Sequence, residues 1–549
     1  MVVEMYLKQH SARKRRNISL LFLAILSLQL ISLSVFAVQK KSFHIDEIYS
    51  YILSNSYRTD RISHADWLWN QWIKGSDFSD FTTVQQGEQF AYDRVYYNNS
   101  LDAHPPLYYY LLHTVCSLFP GVFSKWFGLG MNIFFFALTQ ISLFLFSRDI
   151  FKNTLWSIIP VAVYGGTSIG LDTAIFIRMY MLMALLSVLT IHLHYKMFTR
   201  SLRPNDFLLC FLITFLGVYT QYLFAVLAFF LAFFFCIYLL YKQHWKSLFS
   251  YALSIFAAVA AVFLAYPAAF SQIIGSETNN IGNEVANNIF NFTGWGKAIL
   301  SFVKQLSYGI LQGPLQAKWI SILVIMLCVF LAIIRREEKD DCQASGQELR
   351  VFSVGSLVLV CTSVTIAHVV GIFVYVRYLY NLVPFMALMG TLFIKLVTAR
   401  LKWNASFISV GAILIWTIST VTLMLFGSNS YLYKDQYDKD AQAVNTIGNR
   451  PLVIVSNGEN HLPTGNYMLL SACGDIYMTT LDKTVSVDSI LTPVDCSKGV
   501  AFIILTDQYW TNGFDGDEVM SNIIEFSDVL DNYTDCGTCN FANLYIARP

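Results

Sequence analysis

Eleven long apolar stretches leave this chain few ways to fold. They fall at 18–38, 123–147, 154–170, 177–197, 207–220, 222–241, 249–268, 318–334, 351–374, 379–398 and 405–427. A hydrocarbon core of about 30 Å takes roughly 20 apolar residues as a helix. It must be a helix or a closed barrel, because backbone N–H and C=O groups find no water there and have to pair internally. Hydrophobic residues make up 55% of the chain and charged residues only 13%, about half the share usual in soluble proteins. The expected fold class is therefore a polytopic α-helical membrane protein. The first stretch follows Lys8, Arg13, Lys14, Arg15 and Arg16. It is too long for a signal-peptide core and no small-residue cleavage site follows it, so it reads as a retained helix. The stretch at 207–220 is short and reads as half of a bent hairpin with 222–241.

An odd number of spans puts the termini on opposite sides. Loop charges agree. Arg148 and Lys152, Lys196 with Arg200 and Arg203, Lys242 and Lys246, Arg335 with Arg336 and Lys339, and Arg400 with Lys402 all fall on the N-terminal side. The opposite turns hold little beyond Arg178 and Arg377. Lys/Arg enrichment marks the cytoplasmic face, which predicts a cytoplasmic N-terminus and an extracytoplasmic C-terminus. The net charge of +1 says nothing about a polyanionic partner, and no basic patch suggests nucleic acid, so none is expected.

Two outer loops stand out, at about 39–122 and 269–317. The first carries nine acids and six bases, is rich in Tyr and Trp, and is too long for an idle connector. Short surface helices are expected from Asp46 and from Pro106 onward, the proline sitting where a missing N–H costs nothing. The second, with Asn279-Asn280, Asn287-Asn288 and Gly313-Pro314, reads as a mobile lid. Residues 1–427 form the expected membrane domain. From 428 to 549 the composition turns polar. Apolar runs at 451–456, 501–506 and 543–547 suit buried strands, and helical spacing appears at 436–447 and 516–530, so the tail reads as a small extracytoplasmic α/β domain. Its four cysteines, Cys473, Cys496, Cys536 and Cys539, favour structural disulfides over a zinc site, since Cys536-Gly-Thr-Cys539 has no second CxxC. Asn98, Asn291 and Asn532 head glycosylation-type triplets.

The chemistry-bearing residues cluster at the outer rim. Asp46 and Glu47 lie just past the first span, within Phe43-His44-Ile45-Asp46-Glu47. As a structural feature, Asp46 caps a helix whose dipole favours Glu47 in the first turn; as a functional one, the pair offers a general base. His104 precedes two prolines that hold it extended near the membrane, followed by Tyr108. Arg178 and Arg377 either snorkel to headgroups or, each beside a tyrosine (Tyr180, Tyr378), clamp a phosphate with their guanidinium forks.

Taken together, these motifs resemble the integral-membrane glycosyltransferases of the C-type (GT-C) fold, which include the protein O-mannosyltransferases and the lipid A aminoarabinose transferase. The resemblance covers residues 18–427 and rests on Asp46-Glu47, His104-Pro-Pro-Leu-Tyr108, Arg178-Met-Tyr180, and Arg377-Tyr378 with Pro384. Where many relatives carry a His-Tyr pair, this chain has Gln221-Tyr222. The resemblance implies an inverting transfer of a sugar from a polyprenyl-phosphate or dolichyl-phosphate donor to an acceptor hydroxyl on a glycan, lipid or protein. Asp46 would act as base, and Glu47 would orient it or help it hold a divalent metal (Mg2+ or Mn2+). Arg178, Tyr180, Arg377 and Tyr378 would bind the donor phosphate, and His44, His104, Tyr108, Gln221 and Tyr222 would line the substrate. An outward-facing site also suits a lipid-carried sugar, since nucleotide sugars are cytoplasmic. The expected location is a bacterial plasma membrane, the tail lacking a eukaryotic retention signal. Two alternatives stand beside this reading: a transporter or lipid-handling protein with an extracellular domain, and a lipid-linked oligosaccharide ligase or polymerase. Transporters place ionisable groups at mid-membrane, whereas here the acids gather at the rim.

Overall fold

The computed structural model describes residues 2–152, 154–274, 295–334, 346–370, 375–427, 430–458, 461–481, 487–507 and 513–549. The chain divides into two compact units. One comprises Met1–Val38, Ala103–Tyr108 and Gly128–Ser430; the other comprises Gln39–Asp102, Tyr109–Phe127 and Tyr431–Pro549.

The first unit is a helical bundle, and the protein is a multi-pass membrane protein. Among the described residues eight helices are long and apolar enough to cross a membrane, or ten if each of two bent pairs counts as one span. Within the described residues, all eleven apolar stretches are mainly helical. Pro204–Thr220 has 17 residues, a length of about 26 Å at 1.5 Å per residue, and is the short member. Two expected straight spans are broken. Leu155–Gly165 and Ser168–Ile175 meet at 60°. Between them Gly166 lies so close to the Trp416 carbonyl that a Cβ would come within 2.6 Å of it, and Thr167 restarts the helix by accepting the Gly170 N–H at 3.0 Å. The stretch 318–334 is the second half of a pair bent by 85°. Its first half, Trp295–Gln316, occupies much of what the sequence suggested was a loop. Pro314 lies inside that helix and removes a backbone donor there. Gly313 admits Ser419 to a place where a Cβ would be only 1.9 Å away. The remainder of the expected lid, 275–294 with Asn291, lies outside the described residues.

The second unit is built on one six-stranded sheet. Its strands are β1 (Trp72–Lys74), β2 (Leu452–Ser456), β3 (Asp475–Thr480), β4 (Val500–Leu505), β5 (Asn532–Cys539) and β6 (Ala542–Arg548), in the order β1-β3-β2-β4-β6-β5. β2 runs parallel to β3 and β4, while β1, β6 and β5 add antiparallel edges. Every residue of β2 and β4 is buried, as in strands covered on both faces. Leu452 and Ile454 enter one core, Val453 and Val455 the other. The tail runs thus form the strands the sequence suggested, and helices Lys434–Ile447 and Gly516–Glu525 match the expected helical segments.

The sheet also takes in the first outer loop. β1 comes from it, pairing Ile73 with Ile476. Helix Ile45–Asn55 buries Ile48 and Ile52, one turn apart, in the same core as Leu452 and Ile503. Fully burying such a side chain stabilises by about 1.5–3 kcal/mol, so this helix is fastened to the sheet and is not a lone surface helix.

Two expectations fail here. The four tail cysteines are free thiols, each donating to a nearby carbonyl: Cys473 to Leu469, Cys496 to Val494, Cys536 to Thr534 and Cys539 to Ala542. Burial pushes the Cys473 thiol up to about 11 and Cys539 up to about 12, the behaviour of inert packing thiols. Asn98 is no accessible acceptor for a glycan. It is fully buried, and its amide donates to the Ser56 carbonyl at 3.0 Å. Asn532, by contrast, is exposed at the start of β5.

Candidate active site

In the second unit, the acidic pair opens helix Ile45–Asn55. The N-cap is His44, not Asp46: its Nδ1 accepts the Asp46 N–H at 3.0 Å. Glu47 closes the reciprocal half of a capping box, accepting the His44 N–H at 2.7 Å. The two carboxylates meet different fates. Glu47 is fully buried, and Lys40 Nζ donates to its Oε2 at 2.8 Å, with both side chains 0% exposed. Asp46 keeps 21% of its side chain exposed, with Oδ2 3.5 Å from His44 Nδ1. Since that nitrogen already accepts an amide hydrogen, the neutral ring carries its proton on Nε2. Tyr431 and Tyr433 place their rings 6.4 and 5.8 Å from the His44 ring. Of the pair, Asp46 is the reachable carboxylate and Glu47 the sealed one.

In the first unit, Arg178 follows the half-helix Ser168–Ile175 in a tight turn, its N–H donating to the Phe176 carbonyl at 2.8 Å. Its side chain is 5% exposed, and Nη2 donates to His104 Nε2 at 3.2 Å. A guanidinium only donates, so His104 offers a lone pair there. Tyr108 belongs to the same arrangement: its hydroxyl donates to Asn132 Oδ1 at 3.3 Å, and the Asn132 amide donates to the Phe176 carbonyl at 2.7 Å. Arg377 lies on the 3-10 helix Val376–Leu382, just before Pro384 in the first turn of Val383–Arg400. Its guanidinium sits 4.5 Å from the Tyr375 ring centroid and 5.8 Å from those of Phe176 and Tyr378. Tyr180 stacks on Phe176 at 6.0 Å. Arg178, Arg377 and Tyr180 thus each meet Phe176, Tyr108 reaches its carbonyl through Asn132, and His104 and Tyr378 adjoin the two arginines. Cation–π contacts orient the Arg377 guanidinium.

Gln221 and Tyr222 belong to a different cluster. Gln221 ends helix Pro204–Thr220 in an extended conformation, and Tyr222 donates to Gln272 Oε1 at 2.6 Å, whose amide donates to the Tyr266 hydroxyl at 3.1 Å. Sequence reasoning missed Lys40, Asn132, Phe176, Tyr431 and Tyr433. Lys40 carried a signal, being a lysine seven residues ahead of Glu47 at the end of a span; the others carried none. Among the described residues no group of three or more His, Cys, Asp or Glu is placed to hold a metal.

No protein-family model matches the chain, and no curated protein does. Among solved structures the chain is similar to ArnT from Cupriavidus metallidurans bound to undecaprenyl phosphate, at 11% identity over 96% of this chain and 97% of that one, with a TM-score of 0.48. It is also similar to the same protein in the apo state, at 11% identity, equal coverage and a TM-score of 0.46.

Proposed function

We propose that this protein transfers a sugar from a polyprenyl-phosphate donor to an acceptor hydroxyl at the extracytoplasmic face of a bacterial plasma membrane. The observation that carries the reading is the division of labour in the acidic pair. Glu47 is paired with Lys40 in the interior, while Asp46, one residue earlier on a capped helix, keeps 21% of its side chain exposed. An acceptor alcohol is a poor nucleophile at neutral pH, and a carboxylate within hydrogen-bond reach takes its proton as the oxygen attacks the anomeric carbon. The bond from that carbon to the phosphate oxygen breaks, the anomeric centre inverts, and the polyprenyl phosphate departs with its negative charge. Arg178 and Arg377 stabilise that charge, and Tyr180 and Tyr378 flank it; preorganised donors of this kind contribute most in a water-poor site. His44, His104, Tyr108, Gln221 and Tyr222 would contact the substrate in this scheme. A divalent metal on Asp46 and Glu47 has no part in this scheme, because the Lys40 ammonium already holds Glu47.

The test uses purified protein in proteoliposomes, offered polyprenyl-phosphate monosaccharides of several kinds. Transfer that requires Asp46 is the expected result, and transfer undiminished in Asp46→Asn removes the base assignment. Mass spectrometry of cellular glycans with and without the gene then identifies sugar and acceptor, and product chain length separates a monosaccharide transferase from a ligase or polymerase. One observation favours a second reading, a transporter: the two broken helices, since discontinuous spans line substrate sites in many transporters. Substrate uptake into the same vesicles without glycosyl transfer would select it.

A further inference from the structure

We propose that Lys40 is a positioning residue for the Asp46 carboxylate, a buried clasp joining the start of the acidic helix to the Tyr431–Tyr433 segment that opens the tail. The inference rests on Asp46 acting as the base. Lys40 has three donors on its ammonium. One goes to Glu47 Oε2 at 2.8 Å. Another goes to the carbonyl of Tyr431, 391 residues further along the chain. The rings of Tyr433 and Phe43 lie 5.4 and 5.7 Å from the ammonium.

The residues on either side repeat the junction. The Lys41 N–H donates to the Leu432 carbonyl at 3.0 Å, and Lys434 Nζ donates to Gln39 Oε1 at 3.2 Å. Tyr433 is held at φ +50°, ψ +40° as it enters helix Lys434–Ile447, a left-handed conformation unfavourable for a residue with a Cβ. Such conformations persist where the surroundings over-determine them, and here the surroundings are the Lys40 ammonium and the His44 ring.

The path from Lys40 to Asp46 is short and made of hydrogen bonds. Lys40 fixes Glu47 Oε2, which accepts the His44 N–H; the His44 ring accepts the Asp46 N–H and stands beside its carboxylate. Loosening the first link shifts the aim of Asp46 without changing its charge. The tail is on this account part of the catalytic apparatus, because its first residues complete the clasp.

A single Lys40→Met variant leaves Glu47 buried and uncompensated, so its loss of fold would decide nothing. The informative variant is K40M/E47Q, which removes both charges together. We expect it to unfold near the wild-type temperature and to keep its KM for the lipid donor within about two-fold, with kcat about 10- to 100-fold lower, since a small misplacement of a reacting group costs that much. Amide exchange should quicken together at 45–50 and 431–435. Tyr433→Gly is the second variant. Glycine favours the left-handed backbone, so it should fold, with exchange quickened at the same two segments and kcat reduced at constant KM. Lys74→Met, at an exposed ion pair with Asp475, should keep full kcat. Wild-type kcat in both K40M/E47Q and Tyr433→Gly, alongside an inactive Asp46→Asn, overturns the clasp alone; full activity in Asp46→Asn overturns the reading of Asp46 beneath it.

Discussion

The two units surround their charged side chains in different ways. On the sheet-based unit, Glu47 is neutralised by an explicit countercharge, Lys40, and both are sealed from solvent. In the helical bundle, Arg178 meets a histidine and Arg377 lies among aromatic faces, contacts that fix the direction of a guanidinium. The contrast teaches that a sealed ion pair fixes Glu47 in place, while aromatic and histidine contacts orient the two guanidinium groups.

The largest expected effect would break that contrast at its most chemical point. Asp46→Asn should lower transfer by at least about 100-fold, the range of a lost general base, with unfolding of the second unit unchanged; an unaffected rate would make both carboxylates structural. Next, Arg178→Ala and Arg377→Ala should each reduce kcat/KM for the lipid donor by about 100-fold or somewhat more, with little change in KM for the acceptor. Arg377→Lys should recover only part, because an ammonium lacks the planar fork. If the acceptor constant moves instead, the two arginines serve a different group. Glu47→Ala sharpens the comparison from the other side. It leaves Lys40 buried without a partner, so thermal or denaturant unfolding should report a loss of about 3–5 kcal/mol, whereas Asp46→Ala at its partly exposed position should cost far less.

The smallest effect concerns pH. Burial pushes the Asp440 carboxyl from 3.8 up to about 6, opposed only in part by a hydrogen bond from Gln436. The folded unit therefore holds this proton more tightly than the unfolded chain. The resulting stabilisation is complete below about pH 4 and is lost as pH rises through 6. Melting temperature should fall across that window in the wild type, and Asp440→Asn should flatten that part of the curve. An unchanged slope would place the titration elsewhere.

Much of the architecture was legible because it follows from local rules. Within the described residues, all eleven apolar stretches are mainly helical and the three tail runs are strands, since long apolar segments and short bounded ones bury themselves in characteristic ways. The bends at Gly166-Thr167 and at Ala317 were hidden because the close packing beside them, of Gly166 on the Trp416 carbonyl and of Gly313 on Ser419, involves a helix far along the chain. The helix at Trp295–Gln316 was masked by its glycines and its proline, which read as loop. The expected disulfides failed because spacing in sequence says nothing about which carbonyl each thiol meets.

The same division holds at the site. Sequence alone supplied the inventory: a membrane protein with an acidic pair after its first span and two arginines at helix ends, because composition and charge placement are set residue by residue. Only the tertiary structure decided which carboxylate is sealed and which is reachable, that His44 rather than Asp46 caps the helix, that Phe176 gathers both arginines, and that Lys40 binds a segment 391 residues away. Those outcomes depend on burial and on partners distant in the chain, and neither is written in any local stretch of it.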